Sequence, residues 1–351
     1  MWKRFLDWLL GRKPQATPPA AHVASPAKPA PVPAAVPDAA VAPPDPASAQ
    51  WLFDEFESLL FGGGGVPAVE QLKPVERQVY GIVEAQLRAG LAPEALPKLP
   101  MTVGLLLREL QDPQGSQRRI EDLVRRDPAL AGDVLRIANS PAYRVSDTPI
   151  ASIEGALRLI GQETLKSIVV AVLMRPVIHI QPIYFLMFGS FLWDQAMASA
   201  LAARQLARDG QELDPFVAYF TGLSHNVGRI AIFRMVADNF NQLGAEMPPR
   251  PDVFRLLMGA YGSLLSASIV RHWGVGMDLP VAIHDQSRVA AGEAVERMSP
   301  LGELLFRARL LACAALLKRE GQVAPERIEA ALAGYGLQLC QCPELSGLGR
   351  A

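Results

Sequence analysis

From Pro100 onward, apolar positions recur at helical spacing in one segment after another, and no run of alternating apolar and polar residues competes with them. Ile153, Ala156, Leu157 and Ile160 share one face of a predicted helix that Ser152 can cap and Gly161 can end in a left-handed conformation. Asp127-Pro128 and Asp214-Pro215 each place a capping carboxylate before a proline suited to the first helical position. Upstream, Leu72, Val75, Val79, Val83 and Leu87 predict a helix over Val69 to Leu87. Downstream, Leu304, Leu305, Ala308, Leu311, Ala312 and Ala315 predict one over Leu301 to Leu317, and Ile328, Ala331 and Leu332 a last one beginning near Pro325. The most apolar stretch, Ile168 to Phe188, carries Arg175-Pro176, His179 and Pro182, which would leave a charge and broken backbone bonds in lipid. It reads as a buried helix followed by a break. The fold class expected is all-α, a multi-helix globule built by packing apolar stripes.

The stretch before Pro100 differs. Trp2, Phe5, Leu6 and Leu9 fall at i, i+3, i+4 and i+7 beside Lys3, Arg4, Arg12 and Lys13, so residues 1–13 form an amphipathic basic segment. It suits contact with an anionic membrane surface or a partner's groove; a frayed end or a helix on the protein's own core are the plain alternatives. Asp7 interrupts its apolar run and no small-residue cleavage site follows, which argues against a secretory signal. Residues 14–50 are mostly proline and alanine, an extended disordered linker whose contribution is reach. Residues 51–91 form a helical lead-in in which Gly62-Gly63-Gly64-Gly65 fits a hinge; a phosphate loop would need Lys-Ser/Thr after the glycines and a strand before them. Residues 92–291 make the principal domain and 292–351 a C-terminal helical extension that completes the helical body, covers an apolar face or forms a dimer interface.

Lys+Arg 34 against Asp+Glu 35 give a net charge of -1, so no global field recruits nucleic acid. The Arg118-Arg119 and Arg125-Arg126 pairs are interleaved with Glu121, Asp122 and Asp127, as on a solvated helix face, and no nucleic-acid partner is expected. Cys313, Cys340 and Cys342 are odd in number and crowded toward one end, which favours a reducing, cytoplasmic setting; Cys340 and Cys342 lack a second Cys/His pair and read as ordinary thiols.

Several local patterns follow in order: Leu96-Pro97-Lys98-Leu99-Pro100, Asp127-Pro128-Ala129-Leu130, Val134 to Ser140, Ile150-Ala151-Ser152-Ile153, Leu159-Ile160-Gly161, Leu192-Trp193 opening a long helix, and Gly222-Leu223-Ser224-His225-Asn226-Val227-Gly228. Most of these positions are structural. Pro97 and Pro100 force an extended strap. The Asn139-Ser140-Pro141 step stops a helix, with Asn139 satisfying backbone groups at the turn rather than touching a ligand. Trp193 fills the core with its indole N–H seeking a buried acceptor. The ordered set, with Trp273 further on, resembles the HDOD domain family over about residues 92 to 291. That resemblance implies an all-helical relative of the HD metal-dependent phosphohydrolases that works in bacterial signalling without catalysis.

In the wider HD superfamily, an adjacent His-Asp pair holds a divalent metal together with an earlier His and a later Asp, and the metal-bound water attacks a phosphate ester. Such a site needs several imidazoles and anionic oxygens converging on one point. By the resemblance, the first His position is Gln195, the His-Asp pair reads His225-Asn226, a further His position falls at about Gly262, and His284-Asp285 supplies a late pair. The remaining histidines, His22, His179 and His272, offer little reserve. Gln195, His225, Asn226, His284 and Asp285 are therefore expected to form a vestigial cluster with no metal, no cofactor and no catalytic residue, either filled by apolar side chains or kept as a ligand pocket. The leading functional expectation is a regulatory module that binds an unidentified signalling protein. Two alternatives stand beside it: a phosphohydrolase acting on a nucleotide or cyclic nucleotide, and a scaffold held at the inner face of the membrane by residues 1–13.

Overall fold

Proline and small polar residues decide where the helices begin. Pro74, Pro215, Pro251, Pro300 and Pro325 all stand in the first turn of a helix, where the missing N–H costs nothing. The Asp214 carboxylate accepts from the backbone N–H groups of Phe216 and Val217 at 2.8 and 2.9 Å, and the Ser152 hydroxyl accepts from Gly155 at 3.0 Å, as their positions predicted. Gly274 and Gly321, at φ 65° and 66°, close two long helices in the left-handed region.

The computed structural model describes residues 49–63, 66–108, 124, 128–141, 143, 148–178, 188–210, 212–243 and 250–347. Residues 1–48, Gly64, Gly65, Arg118, Arg119, Arg125, Arg126, Asp127, His179 and Pro182, all of which carried expectations, lie outside them. The fold is all-α, and no strand forms among the described residues. In chain order the helices are α1 (Ala49–Phe61), α2 (Pro74–Ala89), α3 (Met101–Arg108), α4 (Pro128–Ala138), α5 (Ile153–Ile178) and α6 (Phe188–Gly210). They continue with α7 (Pro215–Ser224), α8 (Val227–Gln242), α9 (Pro251–Trp273), α10 (Asp278–Ala290), α11 (Pro300–Glu320) and α12 (Pro325–Ala333).

Three boundaries differ from the sequence reading. Helix α1 starts at Ala49, inside the stretch assigned to the linker, because Ala49 and Trp51 are buried with Leu52 and Phe56. Val69 to Gln71 form only a 3-10 turn, and the α-helix starts at Pro74, which keeps Lys73 extended at ψ 157°. The long helix expected from Leu192-Trp193 begins earlier, at Phe188, whose ring stacks on Phe233 at 4.9 Å.

Helix α6 runs through the middle of the protein. It is buried almost continuously from Phe188 to Ala203, and its row of alanines lets both α7 and α11 come close. Gly222 on α7 shows how close: a Cβ there would stand 2.6 Å from the Ser199 carbonyl and 2.7 Å from Ala200. Gly228 makes the matching approach between α8 and α9, where its N–H donates to Ser266 Oγ at 2.9 Å. Among the described residues, one apolar cluster includes side chains of the lead-in, the principal domain and the C-terminal extension, from Ala49 to Leu345. Helix α9 is long and apolar enough to cross a membrane, but 61% of its most apolar window is buried in this core.

The expected structural positions take clear roles. Trp273 Nε1 donates to the Pro97 carbonyl at 2.7 Å and pins the proline strap, while the Pro100 carbonyl accepts from Val103 and starts α3. Asn139 donates to the Leu135 and Ile150 carbonyls and accepts from Ile150 N–H, sewing the end of α4 to the approach to α5. Gly161, at φ 78°, kinks α5 where the first helical run ends. Trp193 is buried, with the Arg175 guanidinium 5.9 Å from its ring centre.

Candidate functional site

His225 and Asn226 form the turn between α7 and α8, so both side chains leave the backbone where two buried helices meet. Asn226 Nδ2 donates to Gln195 Oε1 at 2.7 Å, and Gln195 Nε2 donates to Cys313 Sγ at 3.3 Å. This buried chain of polar groups ties α8, α6 and α11 together. Two of the expected cluster, Gln195 and Asn226, are therefore in contact, and Gln195 is held between Asn226 and Cys313.

His225 Nδ1 lies 2.6 Å from the Gly222 carbonyl. A carbonyl only accepts, so Nδ1 carries the proton and Nε2 holds a lone pair; Nε2 is buried without a hydrogen-bond partner. Burial first, then the positive charges of Arg309 and Arg229, push the imidazole pKa down to about 3 against the pull of the Gly222 carbonyl. The ring is neutral in the folded state at any ordinary pH. An unfolded histidine binds its proton near pH 6.5, so the unfolded state takes up more protons than the native state between that value and about 3. This group should make stability fall as the pH drops through that window, by about 1.4 kcal/mol per unit. Urea titrations of the wild type and His225→Gln between pH 7 and 4 check this: the slope should flatten in the variant, and parallel curves would reject the assignment.

The late pair does not join this group. Asp285 accepts from Ser299 N–H at 2.8 Å, from Ser299 Oγ at 2.7 Å and from Arg288 at 3.2 Å, and it abuts Gly302. It anchors the start of α11. His284 faces solvent, on the same exposed stripe as Val281 of α10 and Met277 just before it. The α10 residue that turns inward toward the site is Gln286, whose Oε1 accepts from Arg309 at 3.0 Å.

Sequence reasoning missed the charges that surround His225. Arg229, one turn further along α8, lays its stem across Gly262; a Cβ at residue 262 would stand 2.8 Å from Arg229 Cγ. Its guanidinium forks onto the Glu57 carboxylate of α1, Nη1 to Oε1 at 2.7 Å and Nη2 to Oε2 at 2.9 Å. Arg309 of α11, one turn from Cys313, lies 4.7 Å over the Phe53 ring, also on α1. Burial raises the Cys313 thiol to about 11, so it stays protonated. The only available signal was spacing at i, i+4: His225 with Arg229, and Arg309 with Cys313.

These donors do not suit a divalent cation. Two amides are bonded to each other, a single neutral imidazole is in place, and two guanidinium groups raise the local positive potential. Among the described residues no three His, Cys, Asp or Glu side chains converge.

The sequence profile of one family, described as the HDOD domain, matches residues 96–289. Among solved structures, an HDOD domain protein of unknown function from Geobacter sulfurreducens superposes with a TM-score of 0.51 at 18% identity, covering 77% of this chain and 93% of that one. A proposed metal-dependent phosphohydrolase from Shewanella amazonensis gives 0.49 at 17% identity, covering 78% and 100%. A second proposed phosphohydrolase from the same organism gives 0.46 at 20%, covering 73% and 96%. No curated protein matches the sequence. At these identities the superpositions speak for the fold alone.

Proposed function

The chain belongs to the HDOD domain family, and from that premise we propose that it is a non-catalytic regulatory module of bacterial signal transduction, acting through a separate protein partner in the cytoplasm. One observation carries this reading: Gln195 and Asn226, at the positions of an expected histidine and aspartate ligand, are neutral amides joined by a hydrogen bond of 2.7 Å. Amides paired in this way offer no anionic oxygen to hold a metal or to activate water.

A binding module needs an outward face. Helix α10 and the residue that precedes it offer Val281 and Met277, 41% and 65% exposed, one turn apart beside His284. Such a stripe is suited to a partner helix laid across it. In this reading residues 1–13 and the linker act as a tether that holds the module near its partner, at a membrane surface or in a protein groove.

The phosphohydrolase reading is tested by metal analysis of the purified chain, followed by hydrolysis assays on nucleotides and cyclic dinucleotides with added manganese and with His225→Ala as control. We expect metal far below one equivalent and no turnover that depends on His225. Stoichiometric metal with turnover abolished in the variant would replace the regulatory reading with an enzymatic one.

A further inference from the structure

The electrostatics around His225 are those of an anion site that already has an occupant. Arg229 and Arg309 bring two positive charges to a place walled by buried groups, and the Glu57 carboxylate forks onto Arg229 there. The positions are graded from solvent inward: the Glu57 side chain is 32% exposed, Arg229 11%, and His225 4%. Glu57 is thus the most exposed of the three and His225 the most buried. The His225 Nε2 lone pair, Arg229 Nε and Arg309 Nε are all buried without partners, so Glu57 and Gln286 leave part of the polar lining unused. Gly262 gives Arg229 the room to lie where it does.

We propose that Arg229 and Arg309, with His225, form a binding site for the phosphoryl group of a small molecule, and that Glu57 of α1 is its built-in competitor. A guanidinium fork matches the paired oxygens of a phosphoryl group as well as those of a carboxylate, and two cations suit a dianion better than the single charge of Glu57. The neutral His225 accepts a hydrogen bond at Nε2, so a ligand hydroxyl or a protonated phosphoryl oxygen completes it. Because Glu57 belongs to α1, which follows the linker, a ligand that displaces it loosens the grip of the core on the segment leading to the N-terminal tail. This goes beyond the partner-binding reading and does not depend on it.

The test uses the full chain and inorganic pyrophosphate, with acetate and chloride at matched ionic strength. Binding is read by calorimetry and by the rise in Tm. Glu57→Gln removes the competing charge but keeps the shape, and Glu57→Ser serves as a second variant should the first alter the fold. Pyrophosphate should bind either variant about tenfold or more tightly than it binds wild type. Acetate should show no such gain, and Arg229→Gln on the same background should abolish it. In the wild type, saturating pyrophosphate should speed amide exchange in α1. No gain in the Glu57 variants, a gain that survives Arg229→Gln, or equal binding of acetate would each overturn the proposal. Partner capture is untouched by these measurements, so failure here leaves the regulatory reading to be judged separately.

Discussion

Cut to residues 96–289, the chain is expected to lose its cooperative unfolding transition, although that segment is the whole of the family match. The reason lies on α6. One side of this buried helix is covered by α11, which contributes Leu305, Leu310, Leu311 and Leu317 to the core, and the cut removes them all. Burying a leucine contributes about 1.5–3 kcal/mol, so four such losses rival the roughly 5–15 kcal/mol that holds a typical domain together. The charges make the loss worse. Arg229 loses Glu57, Arg250 loses Glu76, Arg204 loses Glu344 and Asp194 loses Arg319, each a pair that joins the matched segment to a flank. Urea unfolding followed by circular dichroism, with the spread of amide proton resonances as a second readout, decides the matter. A sharp transition in the fragment, at a midpoint near that of the full chain, would mean that the flanks are accessories.

The second large effect is expected from a single carboxylate. The Arg204 side chain is completely buried and lies between the Tyr143 and Tyr219 rings, at 5.6 and 5.5 Å from their centres. Its charge is answered by Glu344, whose two oxygens accept from Nη2 at 3.1 and 2.9 Å, while Nε and Nη1 have no partner. Glu344→Ala therefore strands a guanidinium in the core, and unfolding free energy should drop by about 3 kcal/mol. Removing both charges should be far milder, so Arg204→Met combined with Glu344→Ala should recover most of that loss. The Arg208–Glu163 pair, about one-third and two-fifths exposed, is the control: Glu163→Ala should cost no more than about 1 kcal/mol. Equal effects at Glu344 and Glu163 would show that burial of Arg204 has been overvalued.

Local chemistry is what the sequence disclosed well. The Ser152 and Asp214 caps, the break at Gly161, the backbone-satisfying role of Asn139 and the all-helical class each depend on residues close together in the chain. The candidate site was legible only in part. Gln195 and Asn226 do meet, but His284 and Asp285 were read as a unit although neighbours on a helix point about 100° apart. Asp285 is turned to the start of α11 and His284 to solvent. Glu57 and Arg229 are separated by 172 residues, and nothing local marks either as part of one site. A buried charge announces itself only when the surfaces that bury it are known, which is why the arginines went unseen and the histidine did not.

The hydrogen bond from Trp273 to Pro97 gives the protein an internal optical gauge. The indole closes α9 immediately before Gly274, and the exposed Met277 and Val281 follow within the next two turns. The residue that holds the proline strap, at the other end of the matched segment, therefore lies four residues before this exposed face. With Trp51 and Trp193 replaced by phenylalanine, and the tail tryptophans Trp2 and Trp8 likewise, the emission of Trp273 becomes a single-residue signal. Its colour registers whether the opening and closing ends of the domain are still clasped.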